Sequence, residues 1–301
     1  MSSKGAKNEL SGFPIRELSA RTQVNTVTIR AWERRYGLLV PQRTDKGHRL
    51  YSEDDVATVE KILSLVARGV PLKRVKALLS QGASTDESVA KEGKPANETA
   101  ALSDSSGSWA ESVDALLAAV HACEYRHIEQ LIDQSFLNYP SSVCRQQLME
   151  PAFARLAQEE SQAGYLLAES ELVRYTLFRL NGKGTRKATP LTLVVGDNTP
   201  LWRLCLMAME LADASYPVQL LCRPFTLADS LALAGQLHAA RVIFYQDGVW
   251  RGDEKQRLQA AASEQLNLLL CGTAGVLAGA DSVVKVYPDL QDCLQFLLQR
   301  Q

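Results

Sequence analysis

Eleven side chains between Arg16 and Arg49 have the chemistry to hold a polyanion. Arg16, Thr26, Thr28, Arg30, Arg34, Arg35 and Tyr36 lie on or beside a short helical stretch, and Arg43, Lys46, His48 and Arg49 surround a turn at Asp45-Lys46-Gly47. Guanidinium groups bind phosphates, and an arginine can also donate two hydrogen bonds to a guanine edge, worth about 1–3 kcal/mol of discrimination. A second, sparser set is Asp197, Thr199, Trp202, Asp247, Gly272 and Thr273. It falls at the expected ends of strands, with Arg223, Tyr245, Trp250 and Arg251 nearby and Arg155, Arg174 and Arg179 on helices upstream. Neither set contains a nucleophile, base and orienting group at recognisable spacing, so no catalytic residues are expected. Gly182-Lys-Gly184 lacks the full phosphate-loop pattern and precedes a strand. Six scattered cysteines and four histidines leave no metal-ligand cluster, so reduced thiols and no metal are expected.

The elements that position the first set are legible over residues 13–80. Phe13 to Ala20 reads as a helix, with Pro14 in a first turn whose N–H needs no partner. After a break at Arg21 to Asn25, Asn25 or Thr26 can cap a second helix. Val27 and Ala31 fall on one side of it, and Thr28, Arg34 and Arg35 are expected to reach outward. Two short helices joined tightly make a helix-turn-helix, whose second helix enters a major groove. Tyr36 to Tyr51 reads as two extended pieces around a basic turn, a wing. Ser52 caps a third helix carrying Val59, Ile62 and Val66, and Leu72, Val75 and Leu79 mark a fourth. Trp32 reads first as core. Arg49 has Glu33 and Asp54 as rival partners.

Residues 81–108 are almost free of large apolar side chains and read as a flexible linker, and residues 1–12 as a disordered tail. Residues 109–180 carry four amphipathic patterns, which predict a four-helix bundle with Pro140 and Pro151 near helix starts. From residue 188 to 301 strand and helix patterns alternate five times, the pattern of an α/β doubly wound parallel sheet. Predicted strands are Thr192–Val195, Val218–Leu221, Arg241–Tyr245, Asn267–Cys271 and Val283–Val286, with a helix at Lys255–Ala262 among those between them. In that plan a ligand sits beyond the carboxyl ends of the strands.

The chain has 301 residues, enough for two or three domains. Its net charge of −1 hides an asymmetry: residues 1–80 hold 15 Lys plus Arg against 8 Asp plus Glu, and the remainder 18 against 26. A polyanion therefore suits the first part alone. No apolar run reaches membrane-spanning length, and nothing apolar follows Lys4 and Lys7, so a cytoplasmic protein with no membrane partner is expected.

Arg30-Ala-Trp-Glu-Arg-Arg-Tyr-Gly-Leu-Leu39, with Pro41-Gln-Arg43 and Gly47-His-Arg-Leu-Tyr51, closely resembles the start of MerR-type transcription regulators. The head, bundle and flavodoxin-like domain together resemble the layout of cobalamin-dependent photoreceptor regulators and of relatives that control curli and biofilm genes in enteric bacteria. That resemblance implies a homodimer bound to double-stranded DNA at two half-sites of a promoter, with RNA polymerase and a small-molecule or protein effector as further partners. In the cobalamin-binding members the lower ligand is a histidine in a loop after the first strand. Here Asp197 matches the acid of that loop, Thr199 stands at the histidine and Trp202 at the glycine, and Gly272-Thr273 replaces a Gly-Gly pair. No cofactor is therefore expected. Rival readings are an architectural DNA-binding protein with a C-terminal interaction scaffold, and a cobalamin-dependent photoreceptor.

Overall fold

The computed structural model describes residues 12–80, 109–181, 191–250, 267–277 and 284–298. The expected tail (apart from Gly12), the linker, the 182–187 joint, the Lys255–Ala262 helix, Arg251 and the start of the last predicted strand lie outside the described residues.

The head begins with α1 (Ile15–Thr22) and α2 (Thr26–Ala31). Asn25 caps α2, its side-chain oxygen accepting from the Val27 N–H at 3.0 Å. A π turn, Trp32–Tyr36, extends α2 until Gly37, at φ +58°, reverses the chain. There Gly37 N–H bonds Glu33 O and Leu38 N–H bonds Trp32 O, closing the helix end. The wing is an antiparallel pair, β1 (Gln42–Arg43) with β2 (Arg49–Leu50), turning through Gly47 at φ +80°. Phe13 bridges to Tyr51 and so ties the wing to the start of α1. Ser52 and Asp55 form a capping box on α3 (Glu53–Ala67), and α4 (Leu72–Ser80) closes the head.

Four helical units follow: α5 (Trp109–His121), α6 (Tyr125–Asn138), a third unit, and α9 (Ala163–Asn181). The third is a continuous run of α7 (Ser141–Cys144), a π turn (Arg145–Met149) and α8 (Glu150–Leu156). Pro140 precedes this run and Pro151 lies in the first turn of α8. Proline has no N–H and its ring crowds the carbonyl four residues back, so the preceding π turn is what lets the run continue.

The α/β part contains β3 (Thr192–Asp197), α10 (Leu201–Asp213), β4 (Val218–Leu220), α11 (Leu227–Gln236), β5 (Arg241–Gln246), β6 (Leu268–Cys271), α12 (Thr273–Leu277), β7 (Lys285–Tyr287) and α13 (Leu290–Leu298). The sheet is parallel in the order β4-β3-β5-β6-β7, the doubly wound plan. Side chains alternate across it. Val194, Ile243, Tyr245 and Leu269 face a core shared with α10 and the bundle, whereas Leu193, Val195, Phe244 and Leu270 face α11. Helix α10 lies between bundle and sheet, and its residues from Leu204 to Asp213 are all buried. The short helix α12 follows directly on the carboxyl end of β6.

The head is packed onto this body. Helix α2 contacts α6, and Val143, Trp109 and Tyr139 join the head's own core of Leu18, Ile29, Trp32, Val59 and Ile62. Among the described residues no helix is long and apolar enough to cross a membrane.

Candidate functional site

Helix α2 has three faces. Ile29 points into the head core. Val27 (48% exposed), Arg30 and Arg34 form the open face, with Thr26 half-buried at its start and Arg35 exposed beside it. The third face belongs to the body. Asn25 is buried and its Nδ2 donates to Asp213 Oδ1 at 3.2 Å, and Trp32 Nε1 donates to the backbone oxygen of Asn138 at 2.7 Å. Thr28 lies on that side too. It is completely buried, and its hydroxyl has no partner among the described residues. The expectation that Thr28 reaches outward is thus corrected: packing of α6 against α2 encloses a position that a lone head would expose. Arg16 on α1 is exposed, and Tyr36 is half-buried at the end of the π turn.

Glu33 ties the wing to α2. Arg49 Nε donates to Glu33 Oε2 at 2.7 Å, and Arg43 Nη2 lies 3.8 Å from Glu33 Oε1. Arg43 and Arg49 face each other across the β1–β2 register, so a single carboxylate holds β2 through Arg49 and lies within ion-pair distance of β1. The Glu33 hydrogen bond leads the causes that raise the Arg49 pKa. Arg43, Lys46 and His48 are exposed around the turn, and Arg49 is half-buried. The sequence names Glu33 only as a rival partner of Arg49; its nearness to Arg43 as well is visible only once the hairpin is closed.

A buried polar cluster joins head, bundle and sheet. Asp213, at the end of α10, accepts from Asn25 of the head, from Ser141 Oγ of α7 at 2.6 Å, and from Arg179 Nη2 of α9 at 2.8 and 3.0 Å. One turn earlier Glu210 accepts from Arg145 Nε at 2.5 Å, and Arg145 also reaches Glu150 at 2.8 Å. Burial pushes the Glu210 carboxyl up to about 7, with Arg145 pulling against it.

The strand-end set divides in two. Asp247 accepts from Thr199 Oγ1 at 3.2 Å and from Thr273 N–H and Oγ1, each at 3.3 Å, while Gly248 N–H donates to Thr273 Oγ1 at 2.9 Å. Gly272 adjoins this knot at φ +96°, and a Cβ there would meet Gln246 O at 2.3 Å. Asp197 is not bonded into this knot by any of these contacts; its Oδ1 accepts from the Asn198 N–H at 2.9 Å. Trp202 points to the bundle. Its ring stacks on Phe153 at 4.7 Å and 2° between planes, its Nε1 donates to Tyr165 Oη at 2.7 Å, and its backbone N–H donates to Glu169. Tyr245 is buried and bonded to Arg203, Trp250 Nε1 donates to Ala274 O, and Arg223 is exposed. The three bundle arginines are not gathered around an anion: Arg155 pairs with Asp114, Arg174 with Glu129 and Glu171, and Arg179 with Asp213. All six cysteines are free, and no group of potential metal ligands occurs among the described residues.

Residues 13–82 match the MerR HTH family regulatory protein model. The HTH-type transcriptional regulator MlrA of Escherichia coli is 31% identical over 196 residues, which span 63% of this chain and 72% of that one. The chain belongs to the MerR-type HTH transcription regulators. It is a DNA-binding regulator and not an enzyme. The HTH-type transcriptional repressor CarH of Myxococcus xanthus is 29% identical over 162 residues, half of this chain and 48% of CarH. A Methanosarcina barkeri monomethylamine corrinoid protein is similar at a TM-score of 0.44 and 9% identity, over 64% of this regulator and 99% of that chain.

Proposed function

We propose that the regulator acts as a homodimer, each head placing α2 in a major groove of one half-site and its wing against the adjoining backbone. The contact residues are Arg16, Thr26, Arg30, Arg34, Arg35 and Tyr36, with Arg43, Lys46, His48 and Arg49 on the wing. The observation that carries this reading is the Arg49–Glu33 hydrogen bond at 2.7 Å, which ties β2, and through the β1–β2 pair the whole wing, to the arginine-bearing helix, so that helix and wing fit a single duplex. Most of these side chains serve phosphates and set position, and one or two read bases. The test is selection of the full-length protein on random-sequence duplexes, followed by titration at several salt concentrations. Arg34→Glu and Arg43→Glu should each weaken binding and flatten the salt slope, by about one counterion or more per lost phosphate contact. Unchanged affinity in both variants overturns the assignment.

The dimer surface proposed here is the outer side of α9, where Leu166 and Leu177 share a face and Phe178 is 80% exposed. Light scattering of Leu166→Glu/Phe178→Glu should report a monomer where the wild type is a dimer; a wild-type monomer, or a dimeric variant, rejects that surface.

The residues between bundle and sheet do not fit a corrin. Trp202, held by Phe153, Tyr165 and Glu169, takes up the space there, and the Thr199 hydroxyl is spent on Asp247. A hydroxyl is in any case a poor substitute for an imidazole donor. The reading is therefore a regulator whose C-terminal body serves without cobalamin. Protein purified from its host after growth with cobalamin should show no corrin absorption, and stoichiometric corrin would refute this.

A further inference from the structure

We propose that Val27 is a specificity-determining residue of α2, its side chain meeting the C5-methyl group of a thymine in the major groove. The proposal rests on the groove placement of α2 given above. Val27 is 48% exposed and stands outside the head's core cluster, whereas the other apolar residues of α2, Ile29 and Ala31, are buried. It shares the open face with Arg30 and Arg34. A lone exposed valine on an ordinary surface needs no explanation. This one lies in the first turn of a groove-entering helix, where side chains reach base edges. Valine is also a poorer helix former than alanine or the long charged residues, so neither burial nor propensity accounts for it in so short a helix. Two features fix its direction. A β-branched side chain in a helix keeps essentially one χ1 rotamer. The Val27 N–H donates to Asn25 Oδ1 at 3.0 Å, and Asn25 Nδ2 in turn donates to Asp213 at 3.2 Å, so the backbone beneath the side chain is fastened to the body.

The chemistry of the side chain selects the base. In the major groove guanine, adenine and cytosine offer hydrogen-bonding groups, and thymine alone adds a methyl group beside its acceptor. A valine set against a polar edge displaces water without replacing its hydrogen bonds, which is costly. Against the thymine methyl it takes apolar surface of both partners out of water, and one methyl covered in this way corresponds to about fourfold in affinity. Thr28, which also carries a methyl group, is completely buried and cannot compete for the contact. Arg30, three residues on and exposed, is left for a guanine edge or a phosphate. The open face of α2 thus pairs an apolar reader with polar ones, and it discriminates a base by a group that forms no hydrogen bond.

The test uses the full-length protein and a duplex that it selects from random sequence. Each thymine of one half-site is replaced in turn by deoxyuridine, which removes the C5-methyl and keeps the base pair, and binding is titrated by fluorescence anisotropy at fixed salt. One replacement should weaken the wild type about fourfold. Val27→Ala, which shortens the side chain and suits a helix better, should bind the thymine and deoxyuridine duplexes within about twofold of each other. Val40→Ala, which trims an exposed valine outside α2, should keep the wild-type preference. Each preference compares two duplexes on one protein, so a change in folding or in overall affinity cancels. The proposal is overturned if no deoxyuridine in the half-site weakens the wild type by at least about threefold, if Val27→Ala retains the preference, or if Val40→Ala loses it as well. Failure of the wild type to select any duplex refutes the groove placement itself, an outcome distinct from a selected duplex that is indifferent to its thymine methyls.

Discussion

Replacing Asp213 by alanine should loosen the junction of all three parts at once. The carboxylate is almost fully enclosed, with its side chain 2% exposed and that of Arg179 9% exposed. Burial alone would pull the Arg179 pKa down, and Asp213 leads the charges that more than offset it. Without Asp213 the guanidinium stays buried and uncompensated, which costs about 3–5 kcal/mol. Ser141 and Asn25 lose an acceptor as well, at about 1 kcal/mol each. The sum, about 5–7 kcal/mol, is a large share of the 5–15 kcal/mol typical of a folded domain. Urea unfolding followed by tryptophan fluorescence should therefore show a much lower midpoint in Asp213→Ala. The double variant Arg179→Met/Asp213→Ala should recover about half of the loss, because no charge is then stranded. A single variant within about 1 kcal/mol of wild type, a routine size for a surface change, would refute the reasoning. So would a double variant no more stable than the single.

Two other perturbations follow from the same geometry. Glu33→Ala removes a partly buried charge-assisted hydrogen bond worth about 1.5–3 kcal/mol, while the exposed Arg43 pair adds little. It also deletes a negative charge beside the wing, so titration on selected and random duplexes should show random binding strengthened and selected binding weakened; strengthening of both would mean that the lost hydrogen bond positions nothing. Glu210 has a folded pKa of about 7 against about 4.3 for a free glutamate, so the folded state holds a proton that the unfolded chain has lost. Its contribution to stability is therefore present at low pH and declines as pH rises from about 4.3 to 7, the reverse of an ordinary paired carboxylate. Denaturation at pH 5, 6, 7 and 8 should show that decline flattened in Glu210→Gln, and an identical pH profile would rule out a titrating Glu210.

What the sequence makes legible is what neighbours along the chain decide. Asn25 and Ser52 act as caps, Gly47 turns the wing, and alternating apolar runs order themselves into a parallel sheet, since each of these needs only local spacing. What stays hidden depends on a second body. Thr28 and Arg30 are both polar residues on a short helix, and nothing in their types says that one is enclosed by α6 while the other is open. The partners of Asn25 and Trp32 lie 188 and 106 residues away. Trp32 did carry a signal, because an indole N–H buried in a core needs an acceptor, and the head has to find one outside itself. The strand-end residues look available in the sequence for a similar reason: Thr199, Asp247 and Thr273 are polar and fall at strand ends, but they come together to bond one another.

That second face of α2 changes what the C-terminal body can do to DNA binding. A head attached by a chain segment alone samples many orientations, and two such heads set no spacing between half-sites. Here Asn25 and Trp32 fix the orientation of α2 relative to α6 and α10, so two bodies joined through a symmetric surface would hold their recognition helices at one separation. Half-sites on one side of a duplex recur about every 34–36 Å, and a mismatch must be met by bending or twisting the DNA between them. A small change at the joint, multiplied by the distance from α6 to the wing, then alters how much deformation the promoter must accept.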